Sequence, residues 1–226
     1  MNNHKVSILL AVYNGEKYIK KSIESVLNQT FQNLELLVGF NGTIDKSKDI
    51  VSEFSQDPRL KIFDYGMDSG KSKTINKLLK ESTGSWIAIQ DDDDIWLPKK
   101  IEEQMKFTNE YQIIGTQILY INENDEIIGS PKLSHSHDEI LSKSLNGDNQ
   151  IANTSAIFNK NKAIEVNGWD ETMDGIEDFD FWLKMMKTAR CMAINLKNYH
   201  VWHRLHNKSN FNTKTFDLQS ITKKYK

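Results

Sequence analysis

The sequence predicts an α/β fold with a mostly parallel central sheet flanked by helices, and three observations support this prediction. In the first half of the chain, short apolar runs alternate with segments of helical period, which is typical of a parallel sheet covered on both faces. With 226 residues and 38% apolar content, the chain can bury a core of domain size. The second half is less regular, and we expect a smaller part beside the sheet.

Four apolar runs in the first half read as strands, at residues 6–12, 34–40, 60–65 and 86–89. Apolar side chains at helical spacing follow each of the first three runs, around Ile23, Val51 and Leu78. Pro98 fits the first turn of a further helix, where its missing N–H is no loss. These elements predict the sheet and its covering helices.

The second half predicts a hairpin at residues 117–129, a strand at 154–158, a helix at 177–188 and a strand at 191–196. Residues 134–149 are polar with a short helical segment, and we interpret them as a flexible lid. From residue 207 onward the chain is polar and poor in core residues, so we expect this tail to fray.

Charge and cysteine content exclude several classes of protein. With 29 basic and 31 acidic side chains the net charge is -2, which gives no global attraction to nucleic acid or to an anionic bilayer. The single cysteine, Cys191, excludes an internal disulfide framework and a cysteine-rich zinc site. The first strand is too short for a signal peptide or a membrane span, so we expect a cytoplasmic protein.

An acidic cluster follows the fourth predicted strand directly. Asp91, Asp92, Asp93 and Asp94 stand between apolar residues on both sides. Carboxylates this close raise one another's pKa, and a divalent cation is the simplest partner to relieve the repulsion. The alternative is a solvated acidic turn, but its position at the end of a buried strand favours the metal site.

Two further loops follow predicted strands, and ligands of open parallel sheets bind at the carboxyl ends of strands. One loop carries Tyr13, whose ring could stack on a base, and the other carries Asn41. Each could equally be a turn or a helix cap. Lys71 lies in a lookalike of a phosphate-binding loop, which fails because Tyr65 stands where a glycine is needed. The lysine could still reach a diphosphate, or simply be exposed on a helix.

Acidic residues also crowd around the start of the predicted helix at 177–188, including Glu177 and Asp178. The helix dipole favours acids there without any function. A catalytic base is the other interpretation, with the indoles of Trp169 and Trp182 as an apolar surround that would raise its pKa. His206 follows the last strand and could approach a metal.

Six ordered motifs together resemble the family 2 glycosyltransferases, which have the Rossmann-like GT-A fold. They lie at residues 6–14, 25–31, 42–45, 70–76, 84–98 and 168–178. The resemblance covers roughly residues 5–206. It implies transfer of a sugar from a nucleoside diphosphate donor to an acceptor hydroxyl, with inversion, in the synthesis of a surface glycan such as capsule or lipopolysaccharide.

The resemblance also implies roles for single residues. Asp91 and Asp93 match the D-x-D pair that holds Mn2+ or Mg2+ on the donor diphosphate, and Asp92 is the middle residue, which faces the sugar or ribose. Asp178 matches the base that deprotonates the acceptor, with Glu177 shaping the acceptor site.

The remaining assignments concern the nucleotide and the metal. Ala11, Tyr13 and Glu16 match the first nucleotide-contacting loop, and His206 matches a late histidine near the metal. The chain departs from the family at Asn41, where a carboxylate commonly pairs with a uracil N–H, and this puts a uracil donor in doubt. An amide can donate and accept, so Asn41 could still bind a base.

The resemblance suggests one domain over residues 1–226, with a nucleotide-sugar half at 5–112, an acceptor half at 113–206 and a polar tail at 207–226. The Q-x-x-R-W motif of processive synthases is absent, which predicts addition of one sugar at a time. The acceptor is a glycan or a lipid-linked glycan, and a lipid-linked one would place the enzyme at the cytoplasmic face of the membrane. The sequence leaves the oligomeric state open.

Two other functions stay open on the sequence alone. The altered loop at Asn41 is compatible with an inactive relative that serves as a binding partner for an active transferase. Alternating strands with acidic metal ligands also occur in nucleotidyltransferases, although the chain lacks a glycine-rich triphosphate loop.

Overall fold

The protein was analysed as a computed structural model, which describes residues 4–68, 70–173, 175–206 and 218–226. Its strands are β1 Val6–Val12, β2 Leu34–Phe40, β3 Leu60–Asp64, β4 Trp86–Gln90, β5 Ile95–Trp96, β6 Ile113–Ile121, β7 Ile127–Gly129, β8 Ile157–Asn159 and β9 Ala193–Arg204. Its α-helices are α1 Ile19–Leu27, α2 Ser47–Ser52, α3 Gly70–Glu81, α4 Lys100–Met105, α5 His137–Leu145, α6 Lys160–Glu165, α7 Glu177–Lys187 and α8 Leu218–Lys223.

The described strands form one sheet in the order β3-β2-β1-β4-β8-β6-β9-β5, with β7 paired to β6. Strands β3, β2, β1 and β4 are mutually parallel, and β8 is antiparallel to both β4 and β6. β6 and β9 are parallel to each other, so six of the nine strands run in one direction. The predicted α/β fold with a mostly parallel sheet is confirmed.

Both faces of the sheet are covered, as the continuous apolar strands require. Successive residues of β1 enter opposite cores: Leu9 packs with α3 and α7, whereas Ile8 and Leu10 pack with α1. The four strands of the first half begin where they are predicted and end within one residue of the predicted position.

The register places the carboxyl ends of the first strands at one edge. Val12 pairs with Phe40 across β1 and β2, and Leu10 pairs with Gln90 across β1 and β4. Asp91 therefore leaves the sheet beside the loop that follows β1. The convergence of the marked loops follows from this register.

The structure differs from the sequence-based expectations in the second half. Helix α4 begins at Lys100, two residues after Pro98, because Ile95 and Trp96 first pair with β9 as a short strand. Helix α5 packs against α7 and buries Ile140 completely, so this part of the expected lid belongs to the core. β9 extends eight residues beyond the predicted end, since it continues to pair with β6 after a register shift.

The tail also differs from expectation where it is described. Residues 207–217 lie outside the described residues. Helix α8 follows them, and Ile221 is buried in the same core as α7. The expected fraying of residues 218–226 is therefore wrong. Among the described residues, no helix is long and apolar enough to cross a membrane.

Candidate active site

The aspartates 91–94 form a tight loop after β4, and buried hydrogen bonds fix the backbone of this loop. The Ser22 hydroxyl of α1 donates to the Asp91 carbonyl at 2.9 Å. The Gln90 amide donates to the Asp94 carbonyl at 2.8 Å and to the Ser22 hydroxyl at 2.8 Å. These bonds tie the loop to α1 and to the end of the strand, so the four carboxylates are presented on a rigid support.

Three of the four carboxylates contact a basic side chain. Asp91 accepts from Lys71 Nζ at 2.8 Å. Asp93 Oδ2 lies 2.9 Å from His206 Nε2, and Asp94 Oδ2 lies 3.0 Å from His203 Nδ1. Lys71 and the end of β9 thus partly neutralise the loop from two sides.

Asp92 is the exception within the cluster. Its Oδ2 packs so close to Gly15 that a Cβ there would lie only 2.3 Å away, so a larger residue at position 15 would displace the Asp92 side chain. Burial raises the pKa of Asp92 well above its ordinary value, and the charges of Asp93 and Asp91 raise it further. This carboxylate is the one that gains most from a cation or a hydroxyl supplied by a ligand.

The imidazole of His203 carries a proton in this setting. Burial lowers the pKa of His203, but the neighbouring Asp94 carboxylate outweighs burial and raises it to about 9. Asp94 also accepts from the backbone N–H of Arg204 at 2.8 Å and is fully buried. This pair fixes the end of β9 against the loop, and His206 follows two residues later.

Lys71 connects the aspartate loop to α7. Its Nζ lies 2.8 Å from Asp91 and 3.9 Å from Glu177. Burial lowers the pKa of Lys71, but the charges of Asp91 and Glu177 outweigh burial and raise it above its ordinary value. The loop after β4 and the start of α7 therefore lie on either side of one ammonium group.

Asp178 stands in the first turn of α7 beside this lysine. Burial and the charge of Glu177 raise the pKa of Asp178 to about 7, although Lys71 acts in the opposite direction. Its Oδ2 lies 3.5 Å from the Asn149 amide, and its Oδ1 accepts from the N–H of Phe179 at 2.8 Å. A carboxylate with a pKa near neutrality suits a general base.

Buried aromatic side chains hold α7 in place. Phe181 stacks on Trp169 with ring centroids 4.1 Å apart and meets Trp182 edge-on at 5.0 Å. Phe158 of β8 packs against all three rings. The indoles of Trp169 and Trp182 are thus buried in the core and anchor the helix.

The predicted nucleotide loop lies at the same edge of the sheet. The Tyr13 ring is 64% exposed and free of the core, whereas Ala11 is partly buried and packed against it. The Glu16 carboxylate accepts from the N–H of Lys46 at 3.0 Å, which ties the loop after β1 to the loop after β2. Tyr13 presents an open surface for stacking, and Glu16 supports the loop.

Asn41, at the start of the second loop, has an unusual environment. It is only 9% exposed, and its Oδ1 has no hydrogen-bond partner among the described residues. A buried carbonyl oxygen without a donor costs free energy, which a ligand N–H or hydroxyl would recover.

The donor atoms for a metal are few. Asp93 Oδ2 and His206 Nε2 are adjacent, and a carboxylate with an imidazole suits Mn2+. The described residues contain no group of three or more His, Cys, Asp or Glu side chains placed to hold a metal ion. The arrangement fits a cation with two protein ligands and its other positions open to phosphate oxygens and water. Asp91, paired with Lys71, lies beside this pair of ligands.

The sequence did not predict two asparagines that lie beside Asp91 and Asp178. Asn149 contacts Asp178, and the Asn153 side chain contacts Asp91 and helps to lower the pKa of Asp91, against burial and alongside the larger effect of Lys71. Both lie between α5 and β8. Asparagine in a polar loop reads as a turn residue, so no signal in the sequence distinguished them.

The comparisons with known proteins agree with this geometry. A family model described as Glycosyl transferase family 2 matches residues 7–167, which is most of the chain. The chain belongs to glycosyl transferase family 2. The matched region contains the loops after β1, β2 and β4, and the chain continues beyond it through α7 and β9.

Two curated relatives of this family 2 glycosyltransferase carry informative names. The O-antigen biosynthesis glycosyltransferase WbnJ of Escherichia coli is 32% identical, over 90% of this chain and 81% of WbnJ. The second is WfgD of Escherichia coli, named as a UDP-Glc:alpha-D-GlcNAc-diphosphoundecaprenol beta-1,3-glucosyltransferase. It is 30% identical over 86% of this chain and 75% of its own length.

Solved structures show the same fold at lower identity. S. aureus TarS 1-349 in complex with UDP-GlcNAc superposes with a TM-score of 0.77 at 17% identity, over 96% of this chain and 64% of that chain. The mannosyltransferase PcManGT of Pyrobaculum calidifontis, in complex with GDP-Man and Mn2+, gives a TM-score of 0.66 at 15% identity, over 87% and 56%. This chain therefore spans less than two thirds of these solved chains.

Proposed function

We propose that this glycosyltransferase moves one sugar from a nucleoside diphosphate sugar to an acceptor hydroxyl, with inversion and with a divalent metal, in the synthesis of a cell-surface glycan. The observation that carries the proposal is the position of Lys71, whose Nζ contacts Asp91 at 2.8 Å and lies 3.9 Å from Glu177. The acidic loop and the candidate base Asp178 therefore flank Lys71, and we call the space between them the cleft; this arrangement supports a displacement reaction.

Asp178 takes the proton in the proposed reaction. Its carboxylate accepts the proton of the acceptor hydroxyl while that oxygen bonds to the anomeric carbon of the donor. The bond from the anomeric carbon to the diphosphate oxygen breaks on the opposite face, which gives inversion. Asp178 ends protonated, and the diphosphate leaves with the bonding electron pair.

The leaving group needs charge stabilisation at the other side of the cleft. Mn2+ or Mg2+ held by Asp93 and His206 would supply a Lewis acid for the diphosphate. Asp91 and Lys71 would border this position, Lys71 as a point charge toward a phosphate oxygen. Asp92 would face the ribose or the sugar, where ligand hydroxyls relieve its desolvated carboxylate.

The nucleotide would lie across the loops after β1 and β2. Tyr13 offers an exposed ring for stacking, and Asn41 offers an unpartnered carbonyl oxygen. Because an amide both donates and accepts, Asn41 is compatible with the imide of uracil and with the corresponding edge of guanine. The neighbouring structures hold donors of both kinds, UDP-GlcNAc in TarS and GDP-Man in PcManGT.

The names of two relatives support a proposal for the acceptor. WbnJ is named for O-antigen biosynthesis and WfgD for glucosyl transfer to GlcNAc-diphosphoundecaprenol, a lipid-linked sugar. We therefore propose a glycan or lipid-linked glycan acceptor, and a cytoplasmic enzyme that meets it at the membrane face. The net charge of -2 gives no support to a nucleic-acid partner.

Donor turnover tests this function. The purified chain is incubated with Mn2+ and UDP-glucose, UDP-GlcNAc or GDP-mannose, and release of the nucleoside diphosphate to water is measured. We expect turnover of at least one donor, reduced roughly 10²- to 10⁴-fold in Asp178→Asn because general base catalysis is lost. Asp49→Asn, on the exposed side of α2, is the matched control and should retain the native rate. Binding without turnover would support the inactive-partner function instead.

A further inference from the structure

We propose that Asn153 Oδ1 accepts a hydrogen bond from a hydroxyl of the donor sugar. We also propose that the site accepts neutral sugars in preference to hexuronates. This inference rests on the proposed function and names the class of sugar that the site takes. It stands on the position of the segment 149–153, on an unpartnered oxygen of Asn153, and on the pairing of the cations around the aspartate loop.

The segment 149–153 borders both reacting sides of the cleft. The Asn149 amide lies 3.5 Å from Asp178 Oδ2, on the side of the base. The Asn153 side chain contacts Asp91, on the side of the leaving group. A donor sugar must have its anomeric carbon between these two sides, so its ring lies against this segment.

The side-chain carbonyl oxygen of Asn153 is available to accept a hydrogen bond from a ligand. The Asn153 side chain helps to lower the pKa of Asp91, as a hydrogen-bond donor does, because an ionised carboxylate can only accept. Its Oδ1 is buried and has no hydrogen-bond partner among the described residues. An unpaired buried acceptor is costly, and a sugar hydroxyl is the donor that the bound substrate would bring to this place.

The backbone holds Asn153 rigidly for this task. The next residue, Thr154, is 1% exposed, and its hydroxyl donates to Gln90 Oε1 at 3.1 Å. The Trp96 indole N–H donates to the Thr154 carbonyl at 3.0 Å, and the Gln104 amide donates to the Ser155 carbonyl at 2.8 Å. Asn153 therefore stands on a buried, hydrogen-bonded turn, as a residue that discriminates between ligands should.

The charges in the cleft oppose an acidic sugar. Among the described residues, the cationic side chains that contact the aspartate loop each have an anionic partner: Lys71 with Asp91, His203 with Asp94 and Arg204 with Asp125. The imidazole of His206 lies against Asp93. On the sugar side stand further carboxyl groups, Asp92, Glu177 and Asp178. A hexuronate would bring another carboxylate into this region, where the part of the chain that the structure describes offers no unpaired cation in contact with the loop.

Matched donor pairs test the proposal, since each pair differs only at C6 of the sugar. The donors are UDP-glucose with UDP-glucuronate and GDP-mannose with GDP-mannuronate, each with Mn2+, and kcat/KM for release of the nucleoside diphosphate is measured. For a base that the chain accepts, we expect the neutral donor to be preferred at least about tenfold, the usual cost of a buried unpaired charged group.

Variants at Asn153 test the named residue. Asn153→Ala should raise KM for the neutral donor roughly three- to tenfold, the value of one hydrogen bond, and leave the Kd for the free nucleoside diphosphate within about twofold. Asn153→Ser, which keeps a polar group but shortens the side chain, serves as a second variant if alanine disturbs the turn. Asn161→Ala, exposed on α6, is the matched control.

The outcomes separate this inference from the proposed function. Equal use of the neutral donor and its hexuronate would overturn the preference for neutral sugars. An equal loss of affinity for the free nucleoside diphosphate in Asn153→Ala would show that the residue only supports the loop. If none of the four donors is turned over, this inference fails, whereas the proposed function fails only if no nucleoside diphosphate binds with Mn2+.

Discussion

His206 Nε2 lies 2.9 Å from Asp93 Oδ2, which brings the end of β9 onto the aspartate loop across 113 positions of sequence. Two adjacent donor atoms, one nitrogen and one oxygen, are what a divalent cation needs from the protein when phosphate oxygens fill its other positions. Tyr18 packs against the His206 ring, with ring centroids 5.7 Å apart, and limits its movement.

We predict that His206→Ala weakens Mn2+-dependent binding of the nucleoside diphosphate roughly tenfold to a hundredfold, because one of two protein ligands is lost. Calorimetric titration with Mn2+ present and absent measures this. His4→Ala, two residues before β1 and hydrogen-bonded to Ser85, is the histidine control and should bind like the native chain. Unchanged metal dependence in His206→Ala would remove His206 from the metal site.

The raised pKa of Asp178 should make the reaction rate depend on pH. Burial and Glu177 raise the pKa of Asp178 to about 7, so the folded protein holds this proton below neutrality, where the carboxylate cannot act as a base. We expect kcat/KM to rise about tenfold per pH unit below pH 7 and to level off above it. Asp178→Asn should be slow at every pH, without this ascending limb. A rate that is flat from pH 5 to pH 8 in the native chain would contradict the assignment.

The buried carboxylate of Glu35, away from the active site, should make the free energy of unfolding depend on pH. It is 1% exposed and accepts from Lys5, Lys61, Ser7 and Thr83. Burial raises its pKa, but these hydrogen bonds outweigh burial and hold the pKa below its ordinary value. The carboxylate therefore adds stability above its unfolded pKa of about 4.3, and this contribution is lost as the pH falls through that value and below it.

We predict that Glu35→Gln lowers the free energy of unfolding by about 2–4 kcal/mol at pH 7, since two lysines lose their partner. Urea unfolding at pH 7 and again near pH 3 provides the check. The difference between variant and native chain should shrink at the lower pH. A difference that is the same at both pH values would mean that the charge of Glu35 contributes nothing.

Tyr225, near the end of the chain, stabilises α7 through a hydrogen bond to Asp180. Its hydroxyl donates to Asp180 Oδ1 at 2.7 Å, and Asp180 is 2% exposed two residues after Asp178. We predict that Tyr225→Phe lowers the free energy of unfolding by about 1–2 kcal/mol, because a buried carboxylate loses a hydrogen bond. Thermal or urea unfolding measures it. Stability equal to that of the native chain would show that Lys184 and Lys224 satisfy Asp180 without the tyrosine.

The sequence predicted the part of the fold that depends on local pattern. The strands of the first half are continuous apolar runs between turn residues, and such runs have few alternative structures. The extension of β9 to Arg204 was missed because it follows from pairing with β6, which is a long-range contact. The burial of Ile221 was missed although Leu218, Ile221 and Tyr225 recur at helical spacing in the tail, because only their long-range packing on the core shows that they are buried.

In the candidate site, too, some features were predictable from local sequence pattern and others depend on long-range packing. The convergence of the loops at Tyr13, Asn41 and Asp91 was predictable, because parallel strands end at a common edge. The contacts of Lys71 with Asp91 and Glu177 were not, since they depend on how α3 and α7 pack on the sheet. The aspartates have a sequence signature, whereas Asn149 and Asn153 obtain their roles only from the fold.

The most direct measurement of the central claim is calorimetric binding of UDP, GDP, CDP and TDP, with and without Mn2+, to the native chain and to Asp93→Ala. The account predicts that at least one of these nucleotides binds only with Mn2+ and that Asp93→Ala abolishes this binding, while Asp49→Ala retains it. Binding of a nucleotide that is indifferent to Mn2+ and to Asp93, or no binding of any of the four, would contradict the account.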